Sequence, residues 1–202
     1  VDPSPIQSAL WRRSAVDALL ALATERRDSS PVPADHWALI ATGALACLRA
    51  PLAAHERNAV EAHAWQIARS MWREQLAIEP FTGAFVADEQ ITSTATRLEG
   101  LLALAVWPFA AEPASRISVV AGAGVDWLIK AVPASGAVSR HRSGSVGRQY
   151  PRHAEVRIDY VQHALSALLL ARVRDDGSGP CGLLLPPPKR TGAGWRERGM
   201  PG

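Results

Sequence analysis

Three short stretches of this chain carry side chains able to move protons or hold a polar ligand. In EVRIDYVQHALSALL, Asp159 and His163 stand four residues apart, a spacing that brings both to one face of a helix. A carboxylate beside an imidazole can orient the ring and tune it for proton transfer near neutral pH. Arg157, just upstream, adds a cation suited to an anionic group or a hydroxyl. In TATRLEGLLAL, Glu99 is a second candidate acid or base and Arg97 a second anion contact, although residues two apart do not share a helix face. In DHWALIATGALACL, His36 can exchange protons and Trp37 offers a flat surface for stacking on a sugar ring. Each stretch also has a plainer reading. Asp159 suits the positive end of a helix, with His163 hydrogen-bonded in the core. Thr96 with Glu99 fits a capping box. Trp37 can be a core residue with one polar contact.

The elements that must position these residues are helices. Ile, Tyr and Phe are sparse while Ala and Leu are abundant, which favours helix over strand. Apolar periodicity predicts helices over 7–27, 35–49, 55–76, 93–107, 116–132 and 156–173. Asp35 is the expected N-cap of the second, and Ser93 or Thr94 that of the fourth. The first, third and fifth are amphipathic, with Gly122 and Gly124 interrupting the fifth. The second, fourth and sixth are apolar on nearly every side, as in helices enclosed by other protein. From Ala164 to Ala171 the sixth is apolar except at Ser166. The enclosed helices begin near 35, 93 and 156, so a repeat of about 60 residues is expected, each unit a helical hairpin. Long connections, 77–92 and 133–153, lead into the fourth and sixth helices and so gather at one end of the array. All three candidate stretches lie at that same end.

Alternating outer and inner helices, together with the segments DHWALIATGALACL, TATRLEGLLAL and EVRIDYVQHALSALL, resemble the six-hairpin (α/α)6 toroid class. That class includes glycoside hydrolases, polysaccharide lyases and sugar epimerases of the N-acylglucosamine 2-epimerase type. The resemblance covers residues 7–173 and rests on pattern. It implies an all-α fold of antiparallel helical hairpins forming a partial α/α toroid, since three hairpins are present where a full ring has six. A homodimer, or a second half of the toroid, is expected to close the open edges. Residues 1–174 would form the domain and 175–202, rich in Pro, Gly and Arg, a tail without a core of its own.

The remaining composition narrows the function class. The chain has 202 residues, 48% of them hydrophobic, and a formal charge of +3. No apolar run reaches the roughly 20 residues of a membrane span. No secretory leader is visible, and localisation stays open with the cytoplasm favoured. The region 140–157 is the most basic, with Arg140, Arg142, Arg148, Arg152, His141 and His153, but no nucleic-acid module accompanies it, so nucleic acid is not an expected partner. No P-loop, dinucleotide fingerprint, HExxH or GxSxG occurs, and no organic cofactor or metal is expected. Cys47 and Cys181 have no metal-site spacing, and Cys47 reads as a core thiol. The expectation is therefore a domain acting on a carbohydrate or other polar small molecule by acid/base chemistry. Glu99, Asp159 and His163 would be catalytic, and His36, Trp37, Arg97 and Arg157 would bind substrate. The competing expectation is a non-catalytic helical scaffold that binds a protein through an open edge or the basic loop.

Overall fold

The stretch ITSTATRLEGLLAL forms the helix around which the others pack. The structure, a computed structural model, describes residues 5–26, 35–78, 81–85, 91–132, 138, 158–175 and 181. Among these residues the helices are α1 (Pro5–Glu25), α2 (His36–Cys47), α3 (Ala54–Glu74), α4 (Ile91–Leu104), α5 (Ala111–Ala131) and α6 (Ile158–Asp175). No strand occurs among the described residues, so the all-α expectation holds. The basic region 139–157, the connection 133–137 and all of 176–202 except Cys181 lie outside the described residues.

Packing divides the helices into two layers. α1 touches α3 and α3 touches α5, while α4 lies between α2 and α6 with the most extensive contacts of any pair. The small side chains on α6, Ala164, Ala167 and Ala171, are buried and let it approach α4 closely. On α4, Leu98, Leu101, Leu102 and Leu104 are no more than 1% exposed. Full burial of a leucine contributes about 1.5–3 kcal/mol, which makes α4 the chief apolar contributor for its length. The α2–α4 contact needs a glycine. A Cβ on Gly43 would lie 2.1 Å from the Ala103 carbonyl oxygen.

Three pairings fix the direction of this layer. His36 and His163, near the starts of α2 and α6, have ring centroids 5.9 Å apart. Cys47, at the end of α2, forms a disulfide with Cys181, beyond the end of α6. Gly100 faces His36 while the Ala103 carbonyl faces Gly43. All three helices therefore run the same way, with their amino-terminal halves at one end.

Several local expectations are corrected. Asp35 occupies the N-cap position of α2 but makes no side-chain capping bond; its backbone is already helical. The fourth helix begins at Ile91, so Thr94 does not cap it. Its hydroxyl instead accepts a 3.3 Å hydrogen bond from the Phe85 N–H. The 77–92 connection is tied to the core in its described part: Phe85 is 1% exposed, and the Gln75 amide donates to the carbonyls of Gly83 and Val120 at 3.1 and 2.8 Å. Gly124 does not break α5 but seats it, because a Cβ there would meet Leu98 at 2.6 Å. α6 is not enclosed on every side among the described residues: Leu165 and Leu169 are exposed. On α1, Val16 and Leu19 face the core, whereas Leu10 and Trp11 face outward. Cys47 is half-buried in a disulfide rather than a core thiol.

α2 ends in a left-handed turn at Arg49, φ 49°. Arg49 N–H reaches the Ala46 carbonyl and Ala50 N–H the Leu45 carbonyl, which is the Schellman pattern with arginine in the place glycine usually takes. The chain then enters α3, whose first turn is held by Glu56. Its carboxylate accepts from the Ala53 N–H at 3.0 Å and from Arg13 of α1 at 2.6 Å.

Candidate functional site

At the amino-terminal end of the layer formed by α2, α4 and α6, the start of α2 and the middle of α4 meet the second turn of α6. Position 100 permits this meeting. A Cβ there would come within 3.1–3.2 Å of the His36 backbone and Cβ, so glycine lets the first turn of α2 rest on α4 beside Glu99. Glu99 then points toward α6, where the His163 Nδ1–H donates to its Oε2 at 2.8 Å. The His36 ring stands edge-on to His163, and the Trp37 ring lies 4.9 Å from His36. One ring nitrogen of each histidine and one Glu99 oxygen lie within 4.8 Å of one another.

The cluster is sheltered. His36 is 6% exposed, and the side chains of Glu99 and His163 are 11% and 16% exposed. Trp37 is 55% exposed beside them. A carboxylate this sheltered is strengthened as a hydrogen-bond acceptor by its low-dielectric surroundings. With Nδ1 committed to Glu99, the remaining nitrogen of His163 is the one open to other partners.

The other sequence candidates fall as follows. Asp159 lies in the first turn of α6, half-buried, one turn before His163. Arg97 is directed to α3 instead of the cluster: its guanidinium binds Glu74 Oε2 at 3.0 and 3.1 Å and the Ser93 carbonyl at 3.1 Å. Glu99 is not part of a capping box, because the Thr96 hydroxyl turns to the Ser93 carbonyl in the interior of the helix. Arg157 lies outside the described residues. Spacing along one helix suggested Asp159 for His163, whereas the fold supplies Glu99 from 64 residues away. Gly100 was not singled out by sequence. Its only signal is a glycine next to a carboxylate inside an apolar helix, where glycine costs about 1 kcal/mol relative to alanine and so calls for a packing reason.

Among the described residues, surface depressions lie around Trp65, Trp72 and Arg73, and none of the candidate residues lines them. Comparison of the chain with protein-family models, curated proteins and solved structures finds no match.

Proposed function

We propose that this chain is a carbohydrate-active helical domain that works on a sugar or related polar molecule by proton transfer. Its observation of record is the Glu99–His163 bond of 2.8 Å at the end where the inner helices begin. In this reading Glu99 orients His163, the remaining His163 nitrogen exchanges a proton with substrate, and His36 supplies a second imidazole across the site. The exposed face of Trp37 gives a sugar ring a stacking surface. Helix amino termini carry unsatisfied N–H groups and partial positive charge, which suit hydroxyl-rich or anionic ligands.

The two-layered arrangement with a parallel inner layer fits part of an α/α toroid. The exposed Leu10 and Trp11 of α1, and Leu165 and Leu169 of α6, fit the open edges of such a part, closed by a second copy or a second half. The disulfide favours an oxidising compartment over the cytoplasm, where thiols are kept reduced.

The test is a proton NMR screen of reducing sugars and uronate- or hexosamine-containing oligosaccharides in heavy water. Bond cleavage, elimination and solvent-proton exchange each leave a distinct signal. Turnover that disappears in His163→Gln supports the reading; equal turnover in that variant overturns the role of His163. The same exposed apolar residues on α1 and α6 favour a second reading, a non-catalytic scaffold for a protein partner. It gains support if no sugar is bound or altered and substitution of Leu165 and Leu169 by polar residues abolishes self-association.

A further inference from the structure

We propose that His36, Glu99 and His163 form a site for one divalent transition-metal ion of the zinc class. The inference rests on the same site as the preceding reading and names what would carry its proton: a metal-bound water in place of the free His163 nitrogen. Two imidazoles and one carboxylate are the donor set of catalytic zinc sites, which keep at least one position for water. A carboxylate and two imidazoles on one side also suit other first-row ions that leave positions open.

Geometry supports a single ion. Ligand atoms bound at about 2.0–2.1 Å in a tetrahedron are separated by about 3.3 Å. The three donors here already lie within 4.8 Å of one another, with Glu99 Oε2 and His163 Nδ1 at 2.8 Å. Small side-chain rotations open the hydrogen-bonded pair and draw in the third donor, and the imidazole proton shifts from His163 Nδ1 to Nε2, which leaves the Nδ1 lone pair for the ion. The backbone is fixed in advance, because each donor lies on a different helix of one packed layer and Gly100 seats His36 against α4.

Charge also favours a cation. His36 opens α2, whose positive end is equivalent to about half an elementary charge. The full negative charge of Glu99 is nearer to the donors and exceeds it. Cys47 and Cys181 are the only cysteines of the chain and are joined to each other, so no thiolate competes for the ion.

The experiment uses the full, untagged, disulfide-bonded chain, stripped with a chelator and titrated calorimetrically with zinc chloride at pH 7.5. Cobalt(II) is added in parallel to read coordination by visible absorption. One ion per chain is expected, with cobalt bands of a low-coordinate nitrogen and oxygen site. His36→Ala, Glu99→Gln and His163→Gln should each weaken zinc binding by at least about 100-fold, since even outer partners of metal ligands change affinity by 10–100-fold. His55→Ala, an exposed histidine at the start of α3, should bind as the parent does. Far-UV circular dichroism checks each variant, and Glu99→Gln keeps the test decisive if a histidine variant fails to fold. Absence of a one-to-one site, or a site that survives Glu99→Gln and His163→Gln undiminished, overturns the proposal. No zinc site together with sugar turnover lost in His163→Gln retires the metal and leaves the proton-transfer reading intact. A zinc site at these residues with no sugar handled retires the sugar reading and keeps the metal.

Discussion

Three helix-interior glycines should respond to alanine in three different ways. In an unconstrained helix, Gly→Ala stabilises by about 1 kcal/mol. At Gly122 nothing lies within 4 Å of the added Cβ, so Gly122→Ala should gain up to about that amount. At Gly43 the Cβ would lie 2.1 Å from the Ala103 carbonyl oxygen and 2.7 Å from its carbon. Carbon and oxygen rest at about 3.3 Å or more, so α2 and α4 must separate by about 1 Å. The atom in the way is backbone and cannot rotate aside. Overpacking costs about 1–3 kcal/mol and sometimes more, and at this contact the cost should exceed the propensity gain by about 2 kcal/mol. In a chain of this size that lowers the melting temperature by about 4–8 °C. Gly100→Ala is intermediate, because its nearest contact is 3.1 Å; propensity and crowding nearly cancel, but His36 is pushed from Glu99. Thermal and urea denaturation followed by circular dichroism on the three variants reads the series. A Gly43→Ala protein that melts as high as Gly122→Ala would refute the close α2–α4 packing on which the site depends.

Two more outcomes follow from the cross-link and from a buried histidine. The disulfide closes a loop of 134 residues, and losing such a link typically costs about 2–5 kcal/mol. Cys47→Ser with Cys181→Ser should therefore melt well below the parent in calorimetry, and adding a reductant should lower only the parent. His63 on α3 is buried, and both ring nitrogens lack a hydrogen-bond partner among the described residues. Burial lowers its pKa below the ordinary 6.5, with Arg26 adding to the shift and Asp35 opposing it. The unfolded chain thus takes up the proton first. The contribution of His63 is complete above pH 6.5 and is lost as pH falls toward its folded value. Between pH 7.5 and 5.5 the parent should lose more stability than His63→Leu in urea melts; parallel losses would remove His63 as the cause.

The six helices were legible because apolar periodicity is a local property, and burial of Val60, Ala64, Ile67 and Met71 on α3 follows it directly. The shared end of α2, α4 and α6 was legible too, since chain order and loop length place the starts of these helices together. Contacts made between elements were not. Sequence spacing offers His163 a partner on its own helix, but the closeness of α4 and α6 is set by Ala164, Ala167 and Ala171, whose small size carries no directional signal. The apolar run 164–171 suggested an enclosed α6, yet periodicity cannot say that the face carrying Leu165 and Leu169 stays exposed. Two cysteines far apart in the chain likewise give no hint that the end of α2 is cross-linked to Cys181. For the membrane question the structure agrees with hydropathy: none of the described helices is long and apolar enough to cross a bilayer.

The most direct measurement is turnover and melting temperature on Glu99→Gln alone. Gln is nearly isosteric and its side-chain oxygen can still accept from the His163 Nδ1–H, so only the charge is lost. A charge-assisted hydrogen bond is worth about 1 kcal/mol more than a neutral one, a change of about 2–4 °C. Loss of a general acid–base partner lowers rates by about 10²–10⁴-fold. If the cluster is a working site, substrate turnover or ligand binding collapses while the melting temperature stays within those few degrees. A protein that melts far lower yet keeps its ligand handling would show Glu99 and His163 to be a structural pair and nothing more.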